Sequence, residues 1–239
     1  MLLRGCRCCA CLRHTTLLKP NAAEAAAIAH ALHTDYAHHY AAQSQPHQPM
    51  HFAGARICEP AAGDAGAIGA EVESALRRAM PDVACILQAG CGAVLLSLGE
   101  HGAALCMHTS GYQWLHYQQQ SVDGRADRSA KGHADLQQQC DIQVLLAAAS
   151  VVSLVNVNGA GDCLLAGFLA EMSKGCTAAA ALDIGIAAAA FACASDRNVP
   201  ESLRTLSHNR CRAHQGVRSG QQSHWLVWQA GNNAFEIIT

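Results

Sequence analysis

The pattern of apolar and polar residues changes most sharply between residues 151 and 174. Residues 151–155 are rich in β-branched apolar side chains, which predicts a buried strand. Residues 156–161 include two asparagines and two glycines, which predicts a loop. A helix is predicted next, because apolar residues recur at helical spacing at Leu165, Phe168, Leu169 and Met172. The segment is therefore a predicted strand, glycine loop and helix, with the carboxylate of Asp162 at the helix start.

The same patterns predict elements in the rest of the chain. Helical spacing predicts helices at residues 25–32, 66–80 and 178–194. Apolar runs predict strands at residues 15–18, 83–87, 93–98 and 103–107. The last two strands are expected to form a hairpin around a tight turn at residues 99–102. Pro81 is expected to end one helix, Gly175 another, and Thr177 is expected to cap the helix that follows it.

Composition and charge argue against several classes of function. The 239 residues suffice for one domain, or for a domain with an extension. A net charge of −2 gives no support for binding to nucleic acid or to a membrane surface, and no apolar run has the length of a membrane span. The 13 cysteines occur without a secretory signal, so we expect reduced, buried thiols in a cytoplasmic or organellar protein.

Three stretches fall outside the regular patterns. Residues 1–14 form a basic N-terminal extension with clustered cysteines at Cys6, Cys8, Cys9 and Cys11. A zinc site is one interpretation of this cluster, but the spacing is not C-x-x-C, and a transit-like segment or the start of a partial chain fits better. His-rich and Gln-rich insertions are predicted near residues 34–62 and 113–146, and residues 204–239 are treated as a C-terminal extension.

The glycine loop before Asp162 has the features of a phosphate-binding site. The first amides of a helix have no intrahelical partner and lie at the positive end of the helix dipole. Gly159 and Gly161 have no Cβ, so a phosphoryl group can approach the main chain closely. An acid beside an anion is explained if Asp162 takes a proton from an attacking hydroxyl while the amides hold the phosphoryl group. The alternative is a tight turn in which Asp162 only stabilises the helix dipole.

The sequence N-G-A-G-D at residues 158–162 resembles the second signature of the ribokinase-like (PfkB) sugar and nucleoside kinases, D-T-x-G-A-G-D. Within that family, the loop is most similar to that of the pseudouridine kinases. The resemblance implies that Asp162 is the catalytic base and that the anion hole is formed by Gly159, Ala160 and Gly161. The sequence departs from the family at Asn156, where most members have Asp, and at Val157, where most have Thr.

Two further motifs occur in the order that the family has. Asn21 and Glu24 follow Pro20 and fit the family's N-x-x-E motif. A capping box at a helix start is the alternative, whereas the resemblance implies that Asn21 contacts the nucleotide and that Glu24 holds Mg²⁺ through water. Residues 97–102 resemble the family's T-L-G-x-x-G segment. The resemblance therefore implies a nucleotide site at Ser97, Gly99, Gly102 and, from the bend after the last predicted helix, Asn198.

The resemblance implies an α/β fold, a ribokinase-like three-layer α/β/α sandwich with a mostly parallel central sheet. It covers residues 15–203 apart from the insertions. The family's first glycine-rich signature and its lid strands are not recognised here, so the chain is expected to correspond to the C-terminal half of the kinase.

The implied reaction is ATP-dependent phosphorylation of the primary hydroxyl of a nucleoside or sugar, above all of pseudouridine to pseudouridine 5′-phosphate. Its cofactors are Mg²⁺ and, in many members, a monovalent cation such as K⁺. The implied partners are ATP and a small nucleoside or sugar, with no nucleic acid and no membrane, and a homodimer is compatible with the family. The alternatives are another ribokinase-like sugar kinase, or a catalytically silent partial domain that binds nucleotide or a partner.

Overall fold

The computed structural model describes residues 7–41, 69–108, 141–150, 152–200, 203, 224–229 and 233–237. Its helices are α1 (Arg7–Leu12), α2 (Ala22–Ala41), α3 (Ala70–Gln88), α4 (Ala160–Ser173) and α5 (Ala178–Cys193). Its strands are β1 (Ala93–Ser97), β2 (Ala103–His108), β3 (Ile142–Ala147), β4 (His224–Gln229) and β5 (Ala234–Ile237). A 3₁₀ turn at Gly99–His101 joins β1 to β2. The predicted hairpin and the two predicted helices after the glycine loop are confirmed.

Helices cover both faces of the sheet, which gives the three layers that were expected. On one face, Val94 and Cys106 pack in a core with side chains of α2 and α3, such as Leu76. On the other face, Leu95 and Leu105 pack in a second core with side chains of α4 and α5. Because both faces are buried, β1 and β2 are apolar up to their last residues, Ser97 and His108, instead of alternating with polar residues. The α/β/α arrangement is confirmed.

The expectation of a mostly parallel sheet is wrong for the described strands. Their order is β1-β2-β3-β4-β5, and every neighbouring pair is antiparallel. The first pair must be antiparallel because the chain reverses within a few residues, where Leu98 N donates to Gly102 O over 2.8 Å. Parallel pairing occurs beside β1, where residues 18–21 contribute two isolated bridges in place of the strand predicted at residues 15–18.

Helix α3 continues through Pro81, so the predictions that Pro81 ends it and that a strand follows at residues 83–87 are wrong. Pro81 itself is exposed. A proline inside a helix costs about 3 kcal/mol, but each aliphatic side chain that the helix buries contributes about 1.5–3 kcal/mol. The buried face consists of Leu76, Ala79, Met80, Val83, Ala84, Ile86 and Leu87. The run at residues 83–87 is therefore part of an amphipathic helix.

The strand that precedes the glycine loop lies at β3 and not at residues 151–155, where it was predicted. All residues of β3 except Gln143 are buried, and the strand is in register with β2. Residues 152–155 have no regular structure, and Leu154 and Val155 expose 67% and 61% of their surface. Residues 142–146 were expected to belong to the insertion near residues 113–146, which is wrong because they form most of β3. Both runs contain apolar β-branched residues, so the local pattern did not distinguish them. Pairing with β2 selects the earlier run.

The described residues cover the predicted insertions only in part. Helix α2 extends to Ala41 and so enters the stretch predicted as an insertion from residue 34. Residues 42–68 and 109–140 lie outside the described part of the chain. At the C-terminal end, β4 pairs with β3 and β5 pairs with β4, although the sequence analysis assigned no element to residues 204–239.

The seven described cysteines are free thiols. Complete burial raises the pKa of the Cys106 thiol to about 12, so this thiol is protonated at neutral pH. Of the clustered N-terminal cysteines, Cys11 alone has a described side chain. Within the described residues, no group of three or more His, Cys, Asp or Glu side chains is arranged to hold a metal ion. No helix in this part of the chain is long and apolar enough to cross a membrane.

Candidate functional site

The glycine loop has a backbone conformation at Gly159 that favours glycine strongly. Gly159 has a φ of 79° and directly precedes α4, and a Cβ on it would lie 2.7 Å from the carbonyl oxygen of Asn198. Its own carbonyl accepts a hydrogen bond from Cys163 N over 2.9 Å, which starts the helix. No side chain caps α4. The predicted anion-hole residues Gly159, Ala160 and Gly161 are therefore the start of a helix that no side chain caps. Ala160 N donates to Val157 O over a long 3.4 Å, and amides at a helix start can bind an anion.

The carboxylate of Asp162 lies in the first turn of α4 and is exposed. It forms no hydrogen bond or ion pair with another described residue. A carboxylate in this state is available to accept a proton from a hydroxyl bound beside it. An aspartate in the first turn also stabilises the helix dipole, by about 0.3–1 kcal/mol. The geometry is compatible with both interpretations made from the sequence, and activity measurements distinguish them.

The bend after α5 packs against the glycine loop. Asn156 Nδ2 donates to Asn198 Oδ1 over 3.0 Å, and Asn158 N donates to Asn156 Oδ1 over 2.9 Å. The carbonyl of Asn198 accepts a hydrogen bond from Cys163 Sγ over 3.5 Å. Asn198, predicted to contact nucleotide, is thus brought next to the loop, where its side chain also holds Asn156 in place.

The thiol next to Asp162 is not a second reactive group. Burial raises the pKa of Cys163, and the negative charges of Asp162 and Cys193 raise it further. A thiol with a raised pKa stays protonated at neutral pH and is a poor nucleophile. The reactive side chain at the start of α4 is therefore the carboxylate of Asp162, beside a helix start that no side chain caps.

Asn21 and Glu24 form a reciprocal capping box at the start of α2. Asn21 N donates to Glu24 Oε2, and Glu24 N donates to Asn21 Oδ1, both over 2.8 Å. This geometry realises the structural alternative considered from the sequence. Both residues are exposed, and the box uses one of the two carboxylate oxygens of Glu24. The capping role therefore leaves the other oxygen for a second interaction.

The segment that precedes this capping box connects the three motifs. It runs beside β1, where Ser97 N donates to Pro20 O over 3.0 Å and Asn21 forms a parallel bridge with Ser97. Lys19 extends to α4: a Cβ on Gly161 would overlap Lys19 Nζ and would lie 3.1 Å from Lys19 Cε. The N-x-x-E, S-L-G-x-x-G and N-G-A-G-D motifs therefore meet around residues 19–21.

Sequence reasoning did not single out Lys19. The available signal was its place directly after the strand predicted at residues 15–18, two residues before Asn21. Successive side chains of an extended segment point to opposite sides. Lys19 must therefore face a different neighbour from Pro20. Which neighbour it faces depends on how α4 packs, and the local pattern does not contain that information.

The two predicted nucleotide-site glycines differ in their surroundings. Gly102 has a φ of 106°, and a Cβ on it would overlap Ala147 O and lie 2.7 Å from Ala149 N. Gly99 has a φ of 62°, and an added Cβ there would have no atom within 4 Å. Gly102 is therefore required for packing against the end of β3, whereas Gly99 has open space beside it that a ligand can occupy.

A cavity of about 590 Å³ opens between α2, α3 and the end of β1. Three of the predicted residues line it, namely Asn21, Ser97 and Gly99. Asp82 of α3 also lines it, and burial raises the pKa of this carboxyl, although the charge of His33 acts in the opposite direction. The glycine loop and Asp162 do not line the cavity. The cavity therefore adjoins the residues predicted to contact nucleotide, Asn21, Ser97 and Gly99, on the side of α2 and α3 and away from α4.

Comparison with known proteins tests the family resemblance that the motifs indicate. The chain is 28% identical over 147 residues to the pseudouridine kinase of Arabidopsis thaliana, and the match covers 56% of this chain and 38% of the relative. A crystal structure of a Clostridium perfringens protein, described provisionally as a sugar kinase, matches with a TM-score of 0.45 and 12% identity. That match covers 96% of this chain and 45% of the other. No family model matches the sequence. The Arabidopsis relative confirms, over part of the chain, the resemblance to the ribokinase-like kinases and among them to the pseudouridine kinases.

Proposed function

We propose that this chain carries the nucleotide-binding and catalytic part of an ATP-dependent kinase that phosphorylates the primary hydroxyl of a nucleoside or sugar. The observation that carries the proposal is the start of α4. There an uncapped glycine loop adjoins the exposed carboxylate of Asp162, and the motif segment at residues 19–21 reaches the same place. The chain matches 38% of its curated relative, so the activity of the whole protein is part of the proposal.

The reaction uses the two features of this helix end together. Asp162 accepts the proton of the acceptor hydroxyl as its oxygen attacks the terminal phosphorus of ATP. The amides of residues 159–161 hold the phosphoryl oxygens while negative charge spreads over them. The bond between that phosphorus and the bridging oxygen breaks, and ADP leaves with the electron pair. Asp162 thus acts on the attacking hydroxyl, and the amides act on the phosphoryl group that is transferred.

Glu24 fits the magnesium role that the family implies. Mg²⁺ is usually held by one or two carboxylates together with water and substrate phosphates, and Glu24 offers one exposed carboxylate of which one oxygen lies outside the capping box. When bound, Mg²⁺ would neutralise phosphate charge in the transfer. Asn156 does not fit a monovalent-cation role, because its amide oxygen accepts from Asn158 N and its amide nitrogen donates to Asn198.

Pseudouridine is the substrate that we propose first. The Arabidopsis relative is a pseudouridine kinase, and the loop N-G-A-G-D at residues 158–162 is most similar to that group. Phosphorylation of pseudouridine by ATP should be measured beside uridine and ribose. We expect product from pseudouridine at the highest rate. Turnover of ribose alone would assign the chain to another sugar kinase of the same type.

A catalytically silent domain that binds nucleotide or a partner is the second candidate. It is favoured by the large apolar side chains that are exposed on and near the glycine loop and the two helices after it. These are Val152, Leu154, Val155, Val157, Leu169, Phe191 and Val199. Exposed apolar surface of this kind often marks an interaction site. ATP binding by a folded chain that turns over none of the three acceptors would select this candidate.

The capping and magnesium roles of the N-x-x-E pair can be separated with two variants. Asn21→Ala removes a helix cap and should lower the free energy of unfolding by about 1 kcal/mol. Glu24→Gln keeps an oxygen that can accept from Asn21 N, so stability should change by less than about 0.5 kcal/mol. If Glu24 holds Mg²⁺, the same variant should need several-fold more Mg²⁺ for half-maximal activity. Equal loss of stability in both variants, with unchanged Mg²⁺ dependence, would leave Glu24 a capping residue alone.

A further inference from the structure

The side chain of Lys19 lies against the start of α4. It is half-buried, and its Nζ and Cε occupy the space into which a Cβ on Gly161 would point. The backbone on either side is fixed, because Leu18 and Asn21 both bridge to β1 and Pro20 is buried. Lys19 is therefore delivered to the glycine loop by the same segment that carries Asn21.

The charge of Lys19 is uncompensated within the described residues. Lys19 has no ion pair or hydrogen bond to any of them, including the nearby Asp162. The start of a helix already carries partial positive charge, so an ammonium group placed beside it is unfavourable without an anion. Cation and helix dipole together form a strong site for a group with several negative oxygens.

We propose that Lys19 is a catalytic residue that binds the transferring phosphoryl group at the glycine loop. This inference rests on the proposed kinase function, and it adds a positively charged side chain to a site that otherwise consists of main-chain amides and a carboxylate. In the reaction, Asp162 takes the hydroxyl proton, and the new bond from oxygen to phosphorus replaces the bond to the ADP oxygen. Lys19 keeps its proton throughout and donates hydrogen bonds to the phosphoryl oxygens.

The position of Lys19 also gives Gly161 a specific function. A methyl group at Gly161 would displace the end of the flexible lysine side chain without meeting backbone atoms of another element within 4 Å. Gly161 therefore lets the ammonium group and the main-chain amides approach the same phosphoryl group. Substitution of Gly161 by alanine should weaken the site with little effect on folding.

Lys19 can be tested by equilibrium binding, which does not depend on turnover. ATP and ADP affinities should be measured by calorimetry for wild type, Lys19→Met, Lys19→Arg and the control Arg13→Met. Because a hydrogen bond to a charged group is lost, Lys19→Met should weaken ATP binding by about tenfold or more. ADP lacks the terminal phosphate, so its affinity should change by less than about threefold. Lys19→Arg should restore part of the preference for ATP.

The control removes one positive charge from the opposite end of the same segment. Arg13 is exposed and lies beside Gly90, which precedes β1. Lys19 lies alongside β1 itself, between the bridges that Leu18 and Asn21 form with it. Arg13→Met should leave both affinities unchanged. An unchanged ratio of ATP to ADP affinity in Lys19→Met would overturn the role of Lys19 while the kinase proposal stands. If the folded wild-type chain binds neither nucleotide, both proposals are wrong.

Discussion

Replacing Asp162 with asparagine is expected to lower the rate of phosphoryl transfer by about 10²–10⁴-fold, the range that a positioned general base contributes. Asparagine has nearly the same shape and keeps an oxygen, but it cannot accept the hydroxyl proton. The carboxylate is exposed and has no partner among the described residues, so its removal breaks no contact that holds this part of the fold together. The affinity for ATP should stay within about threefold of wild type, because the amides and Lys19 are untouched.

The competing explanation for Asp162 is stabilisation of the helix dipole, and it makes a different prediction. In that case Asp162→Asn would lower the free energy of unfolding by about 0.3–1 kcal/mol and leave the rate per folded molecule unchanged. Glu71→Gln is a matched control, because Glu71 is an exposed acid in the first turn of another helix, α3. Rate and urea unfolding should be measured on both variants. A rate for Asp162→Asn that matches the control would exclude the role of Asp162 as the base.

Local signals were sufficient for elements whose sequence and environment agree. The hairpin of β1 and β2 was predicted because two apolar runs flank a turn with two glycines, and both glycines have positive φ in the structure. Helix α5 was predicted with its cap, and Thr177 Oγ1 indeed accepts from Ala180 N over 3.3 Å. In these elements, propensity, capping and burial all favour the same conformation.

Prediction failed where a distant partner decides between local alternatives. Pro81 favours a helix end, but the apolar face on both sides of it packs in the core and keeps α3 continuous. The runs at residues 142–147 and 151–155 look alike, and pairing with β2 makes only the first a strand. The direction of the sheet was taken from the family resemblance, and the described strands run antiparallel. Each of these outcomes depends on contacts that a sequence window does not include.

The candidate site shows the same division between local and distant information. The motif residues were identified from the family resemblance, and the structure places Asn21 beside Ser97 and Asn198 beside Gly159. The approach of Lys19 to Gly161 joins segments more than 100 residues apart in the sequence. This contact depends on how α4 packs against the segment beside β1. Motif reasoning therefore found the candidate groups, and the fold shows which of them lie side by side.

Replacing Gly102 with alanine is expected to cost about 3 kcal/mol or more of unfolding free energy, which is a severe effect for one methyl group. Gly102 has a φ of 106° and a ψ of −137°, a backbone conformation that residues with a side chain rarely adopt. A Cβ there would also overlap Ala147 O and lie 2.8 Å from Ala148 C. These atoms belong to the backbone at the end of β3 and directly after it, so a small side-chain movement cannot relieve the overlap. The end of β3 would have to move away from the turn.

Gly99→Ala is the matched control, because it adds the same methyl group three residues earlier in the same turn. Gly99 has a φ of 62° with open space around it, so the expected cost is about 1 kcal/mol, that of the left-handed conformation alone. Urea unfolding of both variants measures the difference directly. Equal destabilisation would mean that φ strain dominates and that β3 does not pack against this turn as described. A larger loss in Gly102→Ala would show that the turn packs tightly against the end of β3, a contact that also fixes the positions of Ser97 and Gly99.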